Sequence, residues 1–445
     1  AIIGTTETST TYWRRWVVEN CIYGVDINPL AVELAKLSLW ILSMSKEKPL
    51  SFLNPNLKTG NSLIGARLDD IGKYPGKGDK KQPSIFSDDG DFKDAVGRAI
   101  SNYTRITSTD SASLDVIAEK KAWLDEIDEI LKPYKLVCDM HTSIYFGNEI
   151  SEWKYKELID NKDSILSADD LPSYFHWELE FPGILLREQG FDCYVGNPPY
   201  IQIKAIPEAD RQYFTNVFRF ATGRFNIFYF FIEQAGQLTK QGGLSSLIVP
   251  DRLLLNTQLK DLRQWLLDDT EIREIVSFDE SVFDTAVVDS IIIIYQTTKR
   301  RSDFIYAKYK ASFDDLKKRV STKIPVSYIK LSSSIQFDLN YNPQKYQLLI
   351  KIWKRSIPLQ DISDTKDGII QSKIGDLLFL SSPINKECKK MLVGENIKKY
   401  MISYANRYVD YRPDFMMEHE NNRGGGGLRL RNKFIFERPK ILTRQ

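Results

Sequence analysis

The chain has 445 residues, 61 Lys and Arg against 59 Asp and Glu for a formal charge of +2, and 42% hydrophobic residues. That apolar content is enough for sizeable cores and excludes a disordered or low-complexity protein. The near-neutral balance excludes a histone-like or polybasic chain and leaves any nucleic-acid contact to local patches. The length is a soft prior for about three domains. Cys21, Cys138, Cys193 and Cys388 lie far apart, and His141, His176 and His419 complete a set too sparse for a zinc site, so no metal is expected. Apolar runs such as Ile291 to Ile294 fall far short of the roughly 20 residues a membrane helix needs. The opening segment AIIGTTETSTTYWRRW has neither an initiator Met nor signal-peptide anatomy and reads as the interior of a longer polypeptide.

In chain order, the first strong element is CIYGVDINPLAVELAKLSLWILSM. Ile22 to Ile27 is a short β-rich run, Asn28 can cap a helix, Pro29 suits its first position, and Leu30, Leu34, Leu37 and Ile41 follow at helical spacing. A strand, turn and helix are expected. LKTGNSLIG (Leu57 to Gly65) reads as a strand end entering a glycine-bounded turn. From about Arg67 to Asp170 a lysine- and glycine-punctuated loop gives way to long helical patterns such as DVIAEKKAWLDEIDEIL, which reads as an insertion. Strand signals return at FDCYVGNPPY, followed by a helix at FYFFIEQAGQLTK, a turn at Gln241-Gly242-Gly243 and a strand at LSSLIVP. A helix around Leu262 to Leu267 and the apolar strands IREIVSF and SIIIIYQ come next. Strands alternating with helices predict an α/β, mostly parallel, doubly wound sheet. Beyond Lys299 the regularity weakens, and the last hundred residues carry short strands, loops and the tract NNRGGGG.

The four residues richest in chemistry are Asn197, Pro198, Pro199 and Tyr200, directly after a hydrophobic strand. Pro-Pro is a common loop signal, and a tight turn is the plainer reading. The carboxyl end of a parallel strand is, however, where open α/β sheets bind ligands. An amide or exocyclic nitrogen is a poor nucleophile because its lone pair is delocalised. An Asn side-chain oxygen and the Pro198 carbonyl could accept both of its N–H groups and draw that lone pair out of conjugation. Two prolines keep the geometry stiff, and Tyr200 can stack on the planar group. Such a site works by positioning and needs no tuned general base.

NPPY, together with IYGVDINP and GNSLIG, resembles the gamma-class DNA adenine N6-methyltransferases, in particular the methylase and specificity portion of type IIG restriction-modification and phage-exclusion enzymes. The similarity runs over nearly the whole chain and includes KMLVGENIKKY and ERPKILTRQ near its end. It implies a Rossmann-like methyltransferase sheet binding S-adenosylmethionine (SAM), with Asp26, Ile27, Asn61, Ser62 and Asn226 as cofactor residues. Asp26 would accept the ribose hydroxyls and Asn61, where the family often has Asp, would meet the cofactor's adenine. Asn226 also stands where Asp is usual. It further implies a flipped target base, with Tyr200 and Phe283 stacking on it, although a buried Phe283 is an equal alternative. Arg423, Arg429, Arg431 and Lys433 are candidate contacts to double-stranded DNA, against a plain solvated basic face.

The family's glycine-rich loop after its first strand has no match here, since residues 1–20 hold the single glycine Gly4. The expectation is therefore an incomplete sheet lacking its first strand, in a middle portion of a larger enzyme that by itself binds SAM poorly. Its parts are read as 1–65 and 181–300 for the catalytic core, 66–180 for a helical insertion, 301–335 for a linker and 336–445 for the start of an α+β target-recognition domain. The resemblance implies a cytoplasmic prokaryotic setting and a fused or separate nuclease as partner. Methyl transfer to RNA or to protein glutamine, and a DNA-binding remnant without catalysis, are the competing readings.

Overall fold

A short strand followed by a capped helix and a second parallel strand opens the chain, and each step has a local cause. In this computed structural model β1 (Gly24–Asp26) ends at an Asp, and Asn28 then caps α2 (Pro29–Ser43) by accepting the amide of Leu30. Pro29 supplies a helical φ where no N–H is needed. The chain returns as β2 (Leu57–Thr59), parallel to β1 with Gly24 opposite Leu57 and Asp26 opposite Thr59. Helix α1 (Ser9–Asn20) precedes this unit. Its small core joins Val18, Val32, Leu53 and Leu57. The stripe Leu30, Leu34, Leu37 and Ile41 does not face that core and is exposed, as are Trp13 and Trp16. The structure describes residues 9–45, 48–75, 86, 89–160, 171–283, 289–318, 320–357, 359–363, 379–386, 388–410 and 412. It divides into units of residues 1–342 and 343–445.

The main sheet of the first unit has six strands: β3 (Phe191–Gly196), β4 (Thr239–Pro250), β5 (Glu271–Phe278), β6 (Ser290–Gln296), β7 (Phe304–Ala311) and β8 (Thr322–Pro325), in the order β3-β4-β6-β5-β7-β8. The expectation of a mostly parallel sheet needs correction. β3 with β4 and β5 with β7 are parallel, but β4 with β6, β5 with β6 and β7 with β8 are antiparallel. Residues 279–289 between β5 and β6 are too few for a helical crossover, so the chain returns as a hairpin. A second correction concerns 301–335, which is not a linker: β7 and β8 lie there and extend the sheet. Charged flanks disguise the buried alternation of Ile305 and Ala307. The expected turn at Gln241 to Gly243 is absorbed into β4. Gly242 takes φ +82°, and a Cβ on Gly243 would stand 2.9 Å from the Asp192 carbonyl.

Helices α7 (Glu208–Val217), α8 (Phe228–Leu238), α9 (Arg252–Leu255) and α10 (Lys260–Asp268) complete this layer. Tyr213, Phe214, Phe228, Phe230, Leu247, Ile291 and Ile293 form its core. Among the described residues β1 pairs only with β2, and β3 only with β4, so the Rossmann-like arrangement is in two pieces, each with an open strand edge. An aromatic cluster joins their bases: Tyr23, just before β1, lies 5.7 Å from Phe191 at the start of β3 and 5.7 Å from Phe181, ring centre to ring centre.

Between the pieces lie α3 (Gly90–Ser108), α4 (Leu114–Ile144), α5 (Glu152–Asp160) and the short α6 (Trp177–Glu180). The first three share a core of Phe92, Tyr103, Ile106, Ile127, Leu131 and Tyr155. Glu180 ties this layer to β2 through Lys58 at 2.6 Å and to α4 through Lys135 at 2.7 Å. Burial alone would raise its carboxyl pKa, but the two lysines hold it down at about 2.

In the second unit, β9 (Phe379–Leu380), β10 (Cys388–Lys390) and β13 (Tyr408–Asp410) form a sheet in the order β10-β13-β9, and β11 (Ile397–Lys398) pairs with β12 (Met401–Ile402). Arg412 holds the buried Asp410 at 2.7 and 2.9 Å. Arg423, Arg429, Arg431 and Lys433 fall outside the described residues.

His141 in α4 is buried, with its Nδ1 2.7 Å from the Tyr155 hydroxyl. Burial, and then the neighbouring His176, push its pKa down from 6.5 to about 3. Unfolded, the imidazole takes its proton near pH 6.5; folded, it stays neutral to about pH 3. The unfolded chain thus binds the extra proton between these values, and stability is lost as pH falls through that window, by at most about 1.4 kcal/mol per pH unit. We expect the Tm of the wild type to drop more steeply between pH 7 and pH 5 than that of His141→Gln. Parallel Tm profiles would contradict the assignment of a neutral buried imidazole.

Candidate active site

Three strand ends carry the residues singled out by sequence. At the end of β1, Asp26 is exposed, and its Oδ1 accepts the amide of Asn28 at 2.7 Å, which turns the chain into α2. The backbone carbonyl of Asp26 accepts the amide of Gly60 at 2.9 Å, so the ends of β1 and β2 are locked side by side. Ile27 follows with 68% of its surface exposed, an unusual position for an isoleucine.

The loop after β2 is held from several directions. A Cβ on Gly60 would stand 2.3 Å from the Phe175 ring, and one on Gly65 would stand 2.0 Å from the Phe175 carbonyl oxygen. Only glycine allows so close an approach. Asn61 Oδ1 accepts the Leu63 amide at 3.1 Å, an Asx-type turn that leaves the amide nitrogen as its remaining donor group. The Ser62 carbonyl accepts from Trp177 Nε1 at 2.8 Å and from Gln234 Nε2 at 2.5 Å. Tyr213 donates to the Gly65 carbonyl at 2.7 Å and accepts from the Gly65 amide at 3.0 Å. His176 Nδ1 accepts the Ala66 amide at 3.0 Å, so its Nε2 carries the proton that it donates to Asp139 at 2.9 Å. Asn61 borders a cleft of about 660 Å³ with Lys36, Thr59 and Tyr174, and Ser62 borders one of about 860 Å³ with Tyr213 and Glu233. Asp26, Asn197 and Tyr200 border neither.

At the end of β3, Asn197 and Pro199 are exposed, Pro198 is buried and Tyr200 is half-buried. The next residues are clipped to the segment that enters α8: Ile227 donates to the Ile201 carbonyl at 3.0 Å and Ile203 to the Phe225 carbonyl at 3.1 Å. Asn226 sits within this clip opposite Gln202, its Oδ1 3.4 Å from the Phe228 amide. The Tyr200 hydroxyl lies 3.4 Å from the Ile248 carbonyl and 3.2 Å from Ser290 Oγ, and its ring stands edge-on to Phe228 at 6.4 Å. Phe283 is half-buried, and its carbonyl accepts from Ser281 Oγ at 2.9 Å. Asp251, just past β4, has its pKa raised by burial and then by the nearby Asp289.

The donor set can be tested against SAM without placing it. A carboxylate, an exposed apolar side chain and an amide, contributed by Asp26, Ile27 and Asn61 at adjoining strand ends, match a ribose diol, the face of an adenine ring and its polar edge. The adenosine half therefore fits. The supporting residues Trp177, Gln234, Tyr213 and His176 were not singled out by sequence. A lone Tyr or His in an amphipathic stretch carries no signal of the backbone atom it will meet. No group of His, Cys, Asp and Glu able to hold a metal occurs among the described residues.

A family model described as Eco57I restriction-modification methylase matches residues 20–283. A protein of Methanocaldococcus jannaschii, provisionally named a type II restriction enzyme and methyltransferase, is 25% identical over 96% of this chain and 38% of its own length. The type II restriction enzyme and methyltransferase RM.Eco57I of Escherichia coli is 21% identical over 64% of this chain and 24% of its own. The chain thus spans less than half the length of these curated relatives. Among solved structures, the type IIL restriction-modification enzyme MmeI in complex with DNA superposes with a TM-score of 0.34 at 10% identity, covering 92% of this chain and 47% of that one.

Gly65→Ala should destabilise the fold by about 1–3 kcal/mol, because the Phe175 backbone cannot retreat cheaply. Gly97→Ala, in α3 with nothing near its Cβ, should stabilise it by about 0.5–1 kcal/mol. Urea denaturation of both variants checks this, and equal effects would remove the case for a sterically required glycine.

Proposed function

Because the chain belongs to the Eco57I restriction-modification methylase family, we propose that it forms part of a site-specific DNA methyltransferase that methylates N6 of a flipped adenine, within a restriction-modification or phage-defence system. The observation that carries this reading is the NPPY segment at the carboxyl end of β3, with Asn197 exposed and Tyr200 anchored by its hydroxyl. Bound SAM supplies the methyl group. Asn197 Oδ1 and the Pro198 carbonyl accept the two N–H bonds of the target amine and localise its lone pair. Pro198 and Pro199 keep these acceptors from rotating away, and Tyr200, with Phe283 as a second aromatic, holds the extruded base by stacking. The proton leaves after the new N–C bond has formed, so no group of raised pKa is required beside Asn197.

Asp26, Ile27, Asn61, Ser62 and Asn226 hold SAM in this reading, and the bridge between Asn226 and Gln202 also ties Asn226 to the NPPY segment. Residues 336–445, which include the second unit, begin the target-recognition part, and double-stranded DNA is the substrate. Recognition of DNA also draws on Arg423, Arg429, Arg431 and Lys433. A nuclease, fused or separate, is the functional partner. No helix among the described residues is long and apolar enough to cross a membrane.

In the complete protein, Asn197→Ala should abolish adenine methylation while leaving DNA affinity within about threefold, since phosphate contacts dominate that affinity. Methylation surviving in this variant, measured by transfer of labelled methyl groups to DNA, would refute the catalytic assignment. For this chain by itself, whose β1 and β3 each have an open edge among the described residues, calorimetry should detect only weak SAM binding, and a micromolar Kd would contradict that expectation.

A further inference from the structure

Ser290 is the first residue of β6 and is 5% exposed. It lies at the head of SIIIIYQ, where a hydroxyl gains nothing from the apolar surroundings, and burying one without a hydrogen bond is costly. Its side-chain partner is the phenol of Tyr200, 90 residues earlier, at 3.2 Å. The same phenol oxygen lies 3.4 Å from the carbonyl of Ile248 in β4. A phenol has a single proton. If Tyr200 donates it to Ile248, the bond to Ser290 must run the other way, with Ser290 Oγ as donor. The two contacts are therefore compatible only with a donor at position 290.

From this geometry we propose that Ser290 is a positioning residue for Tyr200, fixing where the aromatic platform for the target base points. The inference rests on the reading of NPPY as the methylation site. Its physical basis is the shape of tyrosine. The hydroxyl lies on the axis through Cβ, Cγ and Cζ, so an anchor there fixes the direction of that axis and leaves rotation about it free. The edge of Phe228, at an interplanar angle of 70°, restrains the rotation. The backbone clip between Ile201 and Ile227 fixes the other end. Pro250 pairs with Ser290 in the register of β4 and β6, and the Asp251 amide donates to the Asp289 carbonyl at 2.9 Å, so the anchor is held by the sheet itself. With the Ser290 hydroxyl removed, the phenol keeps only its longer contact to the Ile248 carbonyl, the ring gains freedom about χ1, and a stacked base loses its fixed height above Asn197.

The test is a double-mutant cycle in the complete protein, read by single-turnover methyl transfer to DNA with SAM affinity measured separately. Ser290→Ala should slow methyl transfer roughly five- to tenfold, the worth of one neutral hydrogen bond, with SAM affinity unchanged. Ser290→Thr, which keeps the donor, should stay within about twofold of wild type. In a Tyr200→Phe background Ser290→Ala should add no further loss, because the group it serves is already gone. Should Ser290→Ala misfold, Ser290→Cys preserves the volume and weakens the donor, and the same cycle applies. Losses that multiply in the double variant, or a Ser290→Ala protein that methylates at the wild-type rate, would overturn the proposal. Asn197→Ala separates the two failures: if that variant stays active the NPPY reading itself falls, and if it is dead while Ser290→Ala is silent only the role of Ser290 falls.

Discussion

Close contact of Gly60 with the Phe175 ring and of Gly65 with the Phe175 backbone is the constraint on which the first unit turns. Here β2 ends, and the segment carrying Phe175 and His176 passes so close that any Cβ would collide with it. The loop is thereby shared among several elements. Trp177 and Gln234 converge on one carbonyl of Ser62, Tyr213 brackets Gly65 from both sides, and His176 passes the restraint to Asp139 in α4. Each bond is ordinary, worth about 1 kcal/mol net. Their concentration between Ser62 and Ala66 makes the end of β2 a fixed point to which α4, α7 and α8 are all referred.

The residues proposed for the chemistry are placed by the same means at the other strand ends. Asp26 owes its position to two backbone amides, that of Gly60 donating to its carbonyl and that of Asn28 donating to its Oδ1. Asn197 is carried by two prolines and by the clip that joins Ile201 to Ile227. In the proposed function a ribose diol and an aromatic amine meet acceptors that are already held in place, and the cost of holding them was met when the sheet folded.

The glutamate at 180 shows how the helical layer contributes. Two lysines from β2 and α4 meet one half-buried carboxylate. Removing either lysine would leave a largely desolvated charge short of a partner, which is costly where water is scarce. The helices of residues 66–180 are thus bound to the strand pair electrostatically as well as by packing.

Local chemistry made much of this legible before any coordinates. Asn28 and Pro29 begin a helix because a side-chain oxygen and a fixed φ act within one turn, and FDCYVG, IREIVSF and SIIIIYQ are strands because their apolar density decides it locally. NPPY pointed to the proposed chemical site for the same reason. The sense of β5 and β6, the membership of β7 and β8 in the sheet and the exposure of the α2 stripe were not legible, because pairing partners far along the chain decide them. The partner of the Tyr200 hydroxyl belongs to that second kind. By itself the sequence determined which residues could perform the chemistry, since that depends on their functional groups. Only the tertiary structure decided that Ser290, Tyr213 and His176 would support them, since hydrogen bonds between distant residues depend on where the whole fold brings two atoms within about 3 Å.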